Sequence, residues 1–311
     1  KLGSTPFLQS ESMMTWFYKN GALAKDGWDC VVDATIPGWK HTGLRIGSLA
    51  AGKEFTLVSE PTERIIFPLE GEGISVSYRL SGTGEHVDQF LRGRESVFRG
   101  TSDLLYLPIN TEALISGNGR FVVGEASATN PKPPRFISKE DVPVFVRGAG
   151  RSSRQVHNFG VPESLDADRF IVVEVIVPAG NWSGIPPHKH DTYLPGVESN
   201  LEEIYYFETA VARGLAAPAE SDPVGYVRAY SSDERPIDIS SEVRSGDVAL
   251  IPFGWHGPAM AQPAYDLYFF NVMAGPDPDR SWNITDDPNH AWIRDTWHHE
   301  EPDPRLPYTA E

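Results

Sequence analysis

Asp247-Val-Ala-Leu-Ile-Pro252 and Asp103-Leu-Leu-Tyr-Leu-Pro108 are two versions of one pattern, in which an acid is followed by an apolar strand and a proline. They occupy corresponding places in the two halves of a 311-residue chain, which is long enough for two ordinary domains. This internal repeat predicts a duplicated fold, with one unit over residues 1–145 and a second over residues 146–311.

Short apolar and aromatic runs surround both copies and are separated by Gly, Pro, Asn and Asp, whereas helical periodicity is scarce. The predicted strands cover residues 45–50, 55–58, 65–69, 73–80, 104–107 and 120–126 in the first half, and residues 170–177, 204–207, 225–230, 248–252 and 267–273 in the second. Many short antiparallel strands favour a closed barrel or jelly roll, which removes exposed sheet edges. The predicted fold class is therefore all-β, with two jelly-roll barrels in tandem.

Composition limits the partners and the compartment. The formal net charge of −16 disfavours phosphate backbones and anionic lipid, so neither nucleic acid nor a membrane is an expected partner. A local positive pocket for a small carboxylate remains compatible with this charge. The single cysteine, Cys30, has no intramolecular disulfide partner, which favours a reducing compartment and hence the cytoplasm. A homo-oligomer is compatible with the sequence.

Residues that could bind a metal concentrate in the second half. His188 and His190 are separated by one residue, so on an extended strand both imidazoles leave the same face. Such a pair alone is more often an ordinary feature of a strand, but Glu202 and Glu203 open the next apolar strand and His256 follows a later turn. Three imidazoles and one carboxylate would form an open site for one divalent metal. Because neighbouring strand residues face opposite sides, strand geometry does not choose between the two acids.

These segments resemble the two conserved motifs of the cupin superfamily, with residues 191–202 as an insertion between the second histidine and the acid. More narrowly, Gly180-Asn-Trp-Ser-Gly-Ile-Pro-Pro-His-Lys-His-Asp191 and Leu201-Glu-Glu-Ile-Tyr-Tyr-Phe207 are similar to the 5-deoxy-glucuronate isomerases of inositol catabolism. Residues 147–150, 154–158, 265–268, 271–275 and 286–292 extend the resemblance, which covers the chain from about residue 145 to residue 292.

The resemblance implies a metal-dependent aldose–ketose isomerase that converts 5-deoxy-D-glucuronate to 2-deoxy-5-keto-D-gluconate. It selects Glu203 as the fourth ligand, because the family's ligand glutamate is followed by an aliphatic and then aromatic residues. Zinc or manganese is the expected metal, with iron and nickel as alternatives. The first half has no His-x-His motif, so we expect its barrel to be metal-free.

Catalytic and substrate-binding residues are less determined by the sequence. Tyr268, Glu202 and a hydroxide on the metal are candidate bases, although a tyrosine such as Tyr268 is more often part of a core. Two mechanisms are compatible with the implied isomerisation, namely proton transfer through an enediolate and a direct hydride shift between the two carbons. A sugar acid requires a carboxylate clamp, for which a guanidinium is well shaped. Arg154, with His157 beside it, is the first candidate and Arg228 the second, while an inter-barrel ion pair is an equal alternative for Arg154.

Two other classes of function are compatible with a duplicated barrel. A cupin dioxygenase would require a redox metal such as iron and would consume oxygen. A non-catalytic sugar-binding bicupin would not require a complete set of ligands. The complete set predicted here therefore favours an enzyme acting on a small sugar acid.

Overall fold

The structure is a computed structural model that describes residues 14–233 and 235–311. Its first half is built almost wholly of strands. They are β1 Phe17–Tyr18, β2 Cys30–Val32, β3 Thr42–Leu49, β4 Phe55–Leu57, β5 Thr62–Leu80, β6 His86–Arg94, β7 Leu104–Leu107, β8 Thr111–Ser127 and β9 Arg135–Ile137.

The second half adds further strands and three short helical turns. The strands are β10 Val144–Arg147, β11 Arg154–Gly160, β12 Ile171–Val177, β13 Trp182–Ser183, β14 His188–Lys189, β15 Asp191–Leu194, β16 Glu198–Asn200, β17 Glu202–Val211, β18 Gly225–Ser232, β19 Arg235–Val243, β20 Val248–Ile251, β21 Trp255–Ala261, β22 Tyr265–Ala274 and β23 Thr285–Asp286. The α-helix α1 covers Ile293–Thr296, and 3-10 turns cover Gly150–Ser152 and Trp297–His299. Among the described residues, no helix has the length and apolar character needed to cross a membrane.

Antiparallel pairing folds each half into a barrel, which confirms the predicted all-β tandem fold. In the first half, eight strands form one bent sheet in the order β2-β3-β8-β5-β7-β9, with β4 on β8 and β6 on β5. The second half has a seven-stranded sheet, β1-β20-β17-β22-β12-β11-β10, facing a six-stranded sheet, β19-β18-β21-β14-β23, in which β13 also pairs with β21. The β15–β16 hairpin stands apart from both sheets.

One pair of predicted strands is a single element. Residues 65–69 and 73–80 both lie in β5, and the register of β5 against β8 shifts around Glu70. Gly71 and Gly73 have φ angles of 113° and 153°, which side chains rarely adopt, so the glycines that suggested a turn instead permit bulges. The bulges let one long strand bend around the barrel.

Two strands from the N-terminal side of the chain, β1 and β10, join the sheet of the second barrel. The N-terminal strand β1 pairs with β20 of the second barrel, with Phe17 opposite Ala249. The division between residues 145 and 146 falls inside β10, which pairs along its length with β11. We retain this division as a proposal, with the addition that the chain on its N-terminal side also supplies strands to the second sheet.

Buried apolar and charged groups join the barrels. Phe67 of the first barrel contacts Phe159 and Phe270 of the second, with ring centroids 4.8 and 4.9 Å apart. Arg94 and Glu174 form a fully buried ion pair across the same interface, with a 2.9 Å bond from Nη2 to Oε2. Because removing one partner of a buried ion pair is costly, this contact fixes the second barrel against the first.

Candidate active site

Three imidazoles converge inside the second barrel. His188, His190 and His256 each offer a ring nitrogen, and these atoms all lie within 4.8 Å of one another. The β14–β21 pairing sets His188 directly opposite His256, with ring centroids 4.6 Å apart, and the ring of His190 is 4.7 Å from that of His256. The predicted approach of these three residues is therefore present in the structure.

Glu203 adds a carboxylate to this cluster. Its Oε2 lies 2.9 Å from His190 Nε2 and 3.0 Å from His256 Nε2. The side chain is buried, since Glu203 lies near the start of β17 between β20 and β22. The Glu203 carboxylate thus lies against two of the three clustered imidazoles, those of His190 and His256.

Backbone carbonyls orient two of the rings. His190 Nδ1 donates to Leu201 O at 3.0 Å, and His256 Nδ1 donates to Gly254 O at 3.2 Å, so the Nε2 atoms of both rings face the cluster. His256 Nε2 is buried and makes no hydrogen bond of acceptable geometry to any described residue. An orphaned ring nitrogen beside two further imidazoles and a carboxylate fits a divalent metal such as zinc or manganese.

Electrostatics favour the metal-binding forms of His188 and Glu203, whereas for His190 the hydrogen bond to Glu203 and its charge outweigh burial and raise the pKa. Burial lowers the pKa of His188 well below its ordinary value, and the charges of His256 and His190 add to that effect. Burial alone would raise the pKa of Glu203, but the hydrogen bond with His190 and the charges of His256 and His190 outweigh it and lower the pKa. Glu203 is therefore ionised at neutral pH, which suits a cationic ligand.

Asp191 connects the two segments that carry the histidines. It accepts hydrogen bonds from the backbone N–H of Gly254 at 2.9 Å and from Lys189 Nζ at 3.0 Å, and it pairs with Arg235 at 3.0 Å. Because Lys189 lies between His188 and His190 and Gly254 precedes His256, this buried carboxylate holds both segments in place.

A cavity of about 810 Å³ opens beside the cluster. His188 and Glu203 lie in its wall together with the apolar residues Val173, Val175 and Phe269. The further polar side chains in the wall are Tyr205, Asn158, Asn271, Glu163, Ser183, Ser281, Asn283, Arg147, Arg154, Arg280 and Arg294. The cavity is large enough for a small sugar acid next to the candidate metal centre.

Among the predicted substrate-binding residues, Arg154 lines this cavity. It is half-buried, and the described residues give its guanidinium one hydrogen bond, to Ser152 O at 3.3 Å. Burial, followed by the charges of Arg294 and Arg147, lowers the pKa of Arg154 to about 10. Arg154 is thus a protonated group without a carboxylate partner in the described structure.

The structure places His157 and Tyr268 elsewhere. His157 Nδ1 and the Tyr268 hydroxyl both bond to Glu174, at 2.7 and 2.6 Å, within the buried inter-barrel network that contains Arg94. Along β22, Phe269 and Asn271 line the cavity, so Tyr268 faces the opposite side of the sheet. Neither position supports the substrate-binding or catalytic role predicted from the sequence.

Glu202 and Arg228 also lie outside the cavity. Glu202 accepts hydrogen bonds from the backbone N–H groups of His41 and Thr42 at 2.5 and 2.7 Å, so it links β17 to the first barrel. Arg228 is exposed and lies over the ring of Tyr230 at 4.0 Å. The two acids at the start of β17 therefore have separate roles, one toward the cluster and one toward the neighbouring barrel.

Several residues that line the cavity were not predicted from the sequence. Tyr205 lies two residues after Glu203 on β17, so strand alternation would have placed it on the same face. Asn271 stands in a segment that carried the family resemblance. Arg280 and Arg294 come from the C-terminal segment, whose return to the cavity has no signal in local periodicity.

Comparisons with known proteins agree with this arrangement. A family model described as the KduI/IolB family matches residues 16–293. The chain is 35% identical over 263 residues to the 5-deoxy-glucuronate isomerase of Geobacillus kaustophilus strain HTA426, an alignment that covers 83% of this chain and 88% of that protein. It is 33% identical over 256 residues to the 5-deoxy-glucuronate isomerase of Bacillus subtilis strain 168, covering 81% and 88% of the two chains.

Solved structures show the same architecture. The crystal structure of an IolB-like protein from Salmonella typhimurium LT2 superposes with a TM-score of 0.77 at 33% identity, and covers 90% of this chain and 99% of that one. Oxalate decarboxylase from Lactobacillus farciminis, in a formate complex, superposes with a TM-score of 0.61 at 11% identity, covering 88% and 89%. At that identity, the second similarity shows the shared fold alone.

Proposed function

The chain belongs to the KduI/IolB family, and we propose that it is an isomerase that interconverts 5-deoxy-D-glucuronate and 2-deoxy-5-keto-D-gluconate. The observation that carries the proposal is a single cavity with the histidine–glutamate cluster in one part of its wall and the unpaired guanidinium of Arg154 in another. A sugar acid has a group for each part of this wall. Its carbonyl and hydroxyl oxygens can bind a metal at the cluster, and its carboxylate can bind the guanidinium of Arg154.

His188, His190, Glu203 and His256 would hold one divalent metal, for which zinc and manganese are the first candidates and iron and nickel the alternatives. When bound, such an ion supplies a Lewis acid that stabilises negative charge on neighbouring oxygens. Support comes from the orphaned Nε2 of His256 and from the ionised state of Glu203.

Arg154 would bind the substrate carboxylate through its planar fork of donors. Its lack of a carboxylate partner among the described residues supports this assignment over the alternative of an inter-barrel ion pair. The apolar side chains of Val173, Val175 and Phe269 in the same wall would exclude water from the reacting carbons.

The isomerisation balances without any oxidant or reductant. One hydrogen moves from the hydroxyl-bearing carbon to the neighbouring carbonyl carbon, and one moves from the hydroxyl to the carbonyl oxygen. The protein has to orient the two carbons, stabilise the charge that develops on their oxygens and keep competing water away. The cluster and the cavity wall are arranged for these tasks.

The test combines elemental analysis with an anaerobic isomerase assay on 5-deoxy-D-glucuronate. Wild type should carry one metal ion per chain and convert the substrate, whereas His190→Ala should lose both properties, because it removes a ligand from the cluster. His86→Ala is the matched control, since His86 is exposed on the first barrel and should leave both unchanged. A metal-loaded wild type that converts no substrate would refute the isomerase function, and oxygen consumption in a parallel aerobic assay would instead indicate a dioxygenase.

A further inference from the structure

Three guanidinium groups share one part of the cavity wall. Arg147, Arg154 and Arg294 all line the cavity, and the charges of Arg294 and Arg147 act on Arg154. Arg294 pairs with Asp286, through a bond of 2.9 Å from Nη2 to Oδ1, and stays protonated, whereas Arg147 lies over the ring of Phe145 at 4.5 Å. The three arginines together with Asp286 therefore have a net positive charge, whereas the chain as a whole has a formal net charge of −16.

The loop between β10 and β11 is shaped around Arg154. Gly148 has a φ of 73°, and a Cβ atom on it would lie 2.8 Å from Arg154 Nη1 and 2.1 Å from Ser152 O. A side chain at this position would therefore displace the guanidinium or the loop. The C-terminal tail holds the same loop, because the N–H of Gly150 donates to Glu301 O at 2.8 Å.

The tail also supplies the platform for two of the arginines. The ring of Trp297, which follows α1, lies 5.8 Å from the guanidinium carbon of Arg154 and 5.4 Å from that of Arg294. Both guanidinium groups therefore rest on one indole, which favours cations over its face. Asp286, the partner of Arg294, is paired in β23 with His188. The tail connects the arginines to the metal cluster.

We propose that Arg294 on the C-terminal tail acts with Arg154 as a two-guanidinium subsite for the carboxylate of the sugar acid, seated on Trp297. The inference rests on the proposed function and adds a specificity element to it: the tail makes the cavity select acids over neutral sugars. Arg147 adds positive charge at the same wall. A bound carboxylate relieves the repulsion among the guanidinium groups and gains charge-assisted hydrogen bonds, which no neutral sugar reproduces.

Calorimetry with D-glucuronate and D-glucose as probes tests this subsite directly. Wild type should bind glucuronate at least about 10-fold more tightly than glucose, because a hydrogen bond between charged groups is worth about one order of magnitude in affinity. Arg294→Gln should lose most of that preference, the remainder resting on Arg154, while keeping its glucose affinity and its metal content. Arg294→Lys keeps a positive charge and should retain part of the preference, which separates a charge effect from a disturbed tail.

Arg228→Gln is the matched control, because Arg228 is also stacked on an aromatic ring but lies outside the cavity, and it should bind as wild type does. In the isomerase assay, Arg294→Gln should raise KM for 5-deoxy-D-glucuronate about 10-fold and change kcat much less. An unchanged preference for glucuronate in Arg294→Gln, or an equal loss for both probes, would overturn the inference. A wild type that discriminates between the probes but isomerises nothing would instead refute the proposed function and leave the subsite standing.

Discussion

The two barrels share a corresponding pairing of strands and differ in the side chains at equivalent inward-facing positions. In the second barrel, β17 pairs with β20 so that Glu203 stands opposite Ile251, the residue directly before the proline of its motif. In the first barrel, β5 pairs with β7 so that Arg64 stands opposite Leu107, which also directly precedes the motif's proline. By register, Arg64 therefore occupies the position of Glu203, and a cation stands where the histidine–glutamate cluster has an anion.

The surroundings of Arg64 complete the contrast. Its guanidinium bonds to Glu60 at 2.6 Å and lies 3.6 Å from Glu125, while Nη1 donates to the carbonyl oxygens of Val58 and Thr111 at 3.0 Å each. Elsewhere in the first barrel, buried apolar side chains form one cluster. They include Val31, Leu49, Phe55, Leu57, Ile66, Ile74, Val76, Leu91, Leu105, Leu107, Ala113, Ile115, Phe121 and Val123. The comparison shows that the strand arrangement determines the barrel, whereas a few inward-facing side chains determine whether it contains a site.

Exchanging the residue that distinguishes the barrels should give the largest effect. Glu203→Arg places a cation beside His188, His190 and His256, so it removes a ligand and repels the ion. We expect metal content near zero and isomerase activity lowered by about 1,000-fold or more, since a metal supplies several kcal/mol of charge stabilisation. Elemental analysis and the isomerase assay measure both.

Glu203→Gln refines the same comparison. It retains the size and one oxygen of the side chain but not its charge, so metal should bind more weakly than in wild type and more tightly than in Glu203→Arg. Circular dichroism checks that both variants are folded. Full metal occupancy in folded Glu203→Arg would mean that Glu203 is not a ligand.

Removing the corresponding residue of the first barrel should affect stability instead of chemistry. Arg64→Met deletes a fully buried cation and leaves Glu125 with Arg45, 2.6 Å away, as its remaining partner. Breaking a buried ion pair costs about 3–5 kcal/mol, and the residual partner places the expected loss near the lower end, about 3 kcal/mol. Urea unfolding measures the free energy of unfolding.

The metal content and the kcat of folded Arg64→Met should equal those of wild type, because the cluster lies in the other barrel. Arg79→Met is the matched control, since Arg79 is exposed on the same long strand and should change stability little. A variant that loses its metal at unchanged stability would show that the first barrel contributes to the site directly.

Much of this contrast was accessible from the sequence. Short apolar runs between turn residues predicted the strands, His188 and His190 stood out because their spacing matches the pleat, and His256 stood out because it follows a turn. The family resemblance then selected Glu203. The structural role of Arg64 had no local signal, because it depends on register with a strand some forty residues further on.

The errors have a common physical cause. Tyr268 and Glu202 lie on strands that do reach the cavity, but each faces the other side of its sheet, toward the first barrel. Which face of a sheet is the interior depends on how the two barrels pack, and alternation alone leaves that choice open. Arg294 was missed for a related reason, since its tail returns from outside the barrel to the cavity wall.

The smallest expected effect lies at the position that corresponds to His256. That histidine is the fourth residue after Pro252, and the fourth after Pro108 is Glu112, which is exposed and pairs with Arg79 at 3.4 Å. Glu112→His therefore places a histidine at the same distance from the proline in the first barrel, but on the exposed face of β8, whereas His256 is buried. Because an exposed ion pair contributes little, the free energy of unfolding should change by no more than about 0.5 kcal/mol in urea titrations.

Metal content should also stay at its wild-type value in Glu112→His. The buried guanidinium of Arg64 still occupies the place of Glu203, and position 112 lies on the exposed face of β8, so one imidazole there has no partners with which to hold an ion. Elemental analysis of Glu112→His beside wild type decides this. A second metal equivalent in the variant would mean that the first barrel lacks a site for want of one histidine, and that the charge of Arg64 is not what excludes the ion.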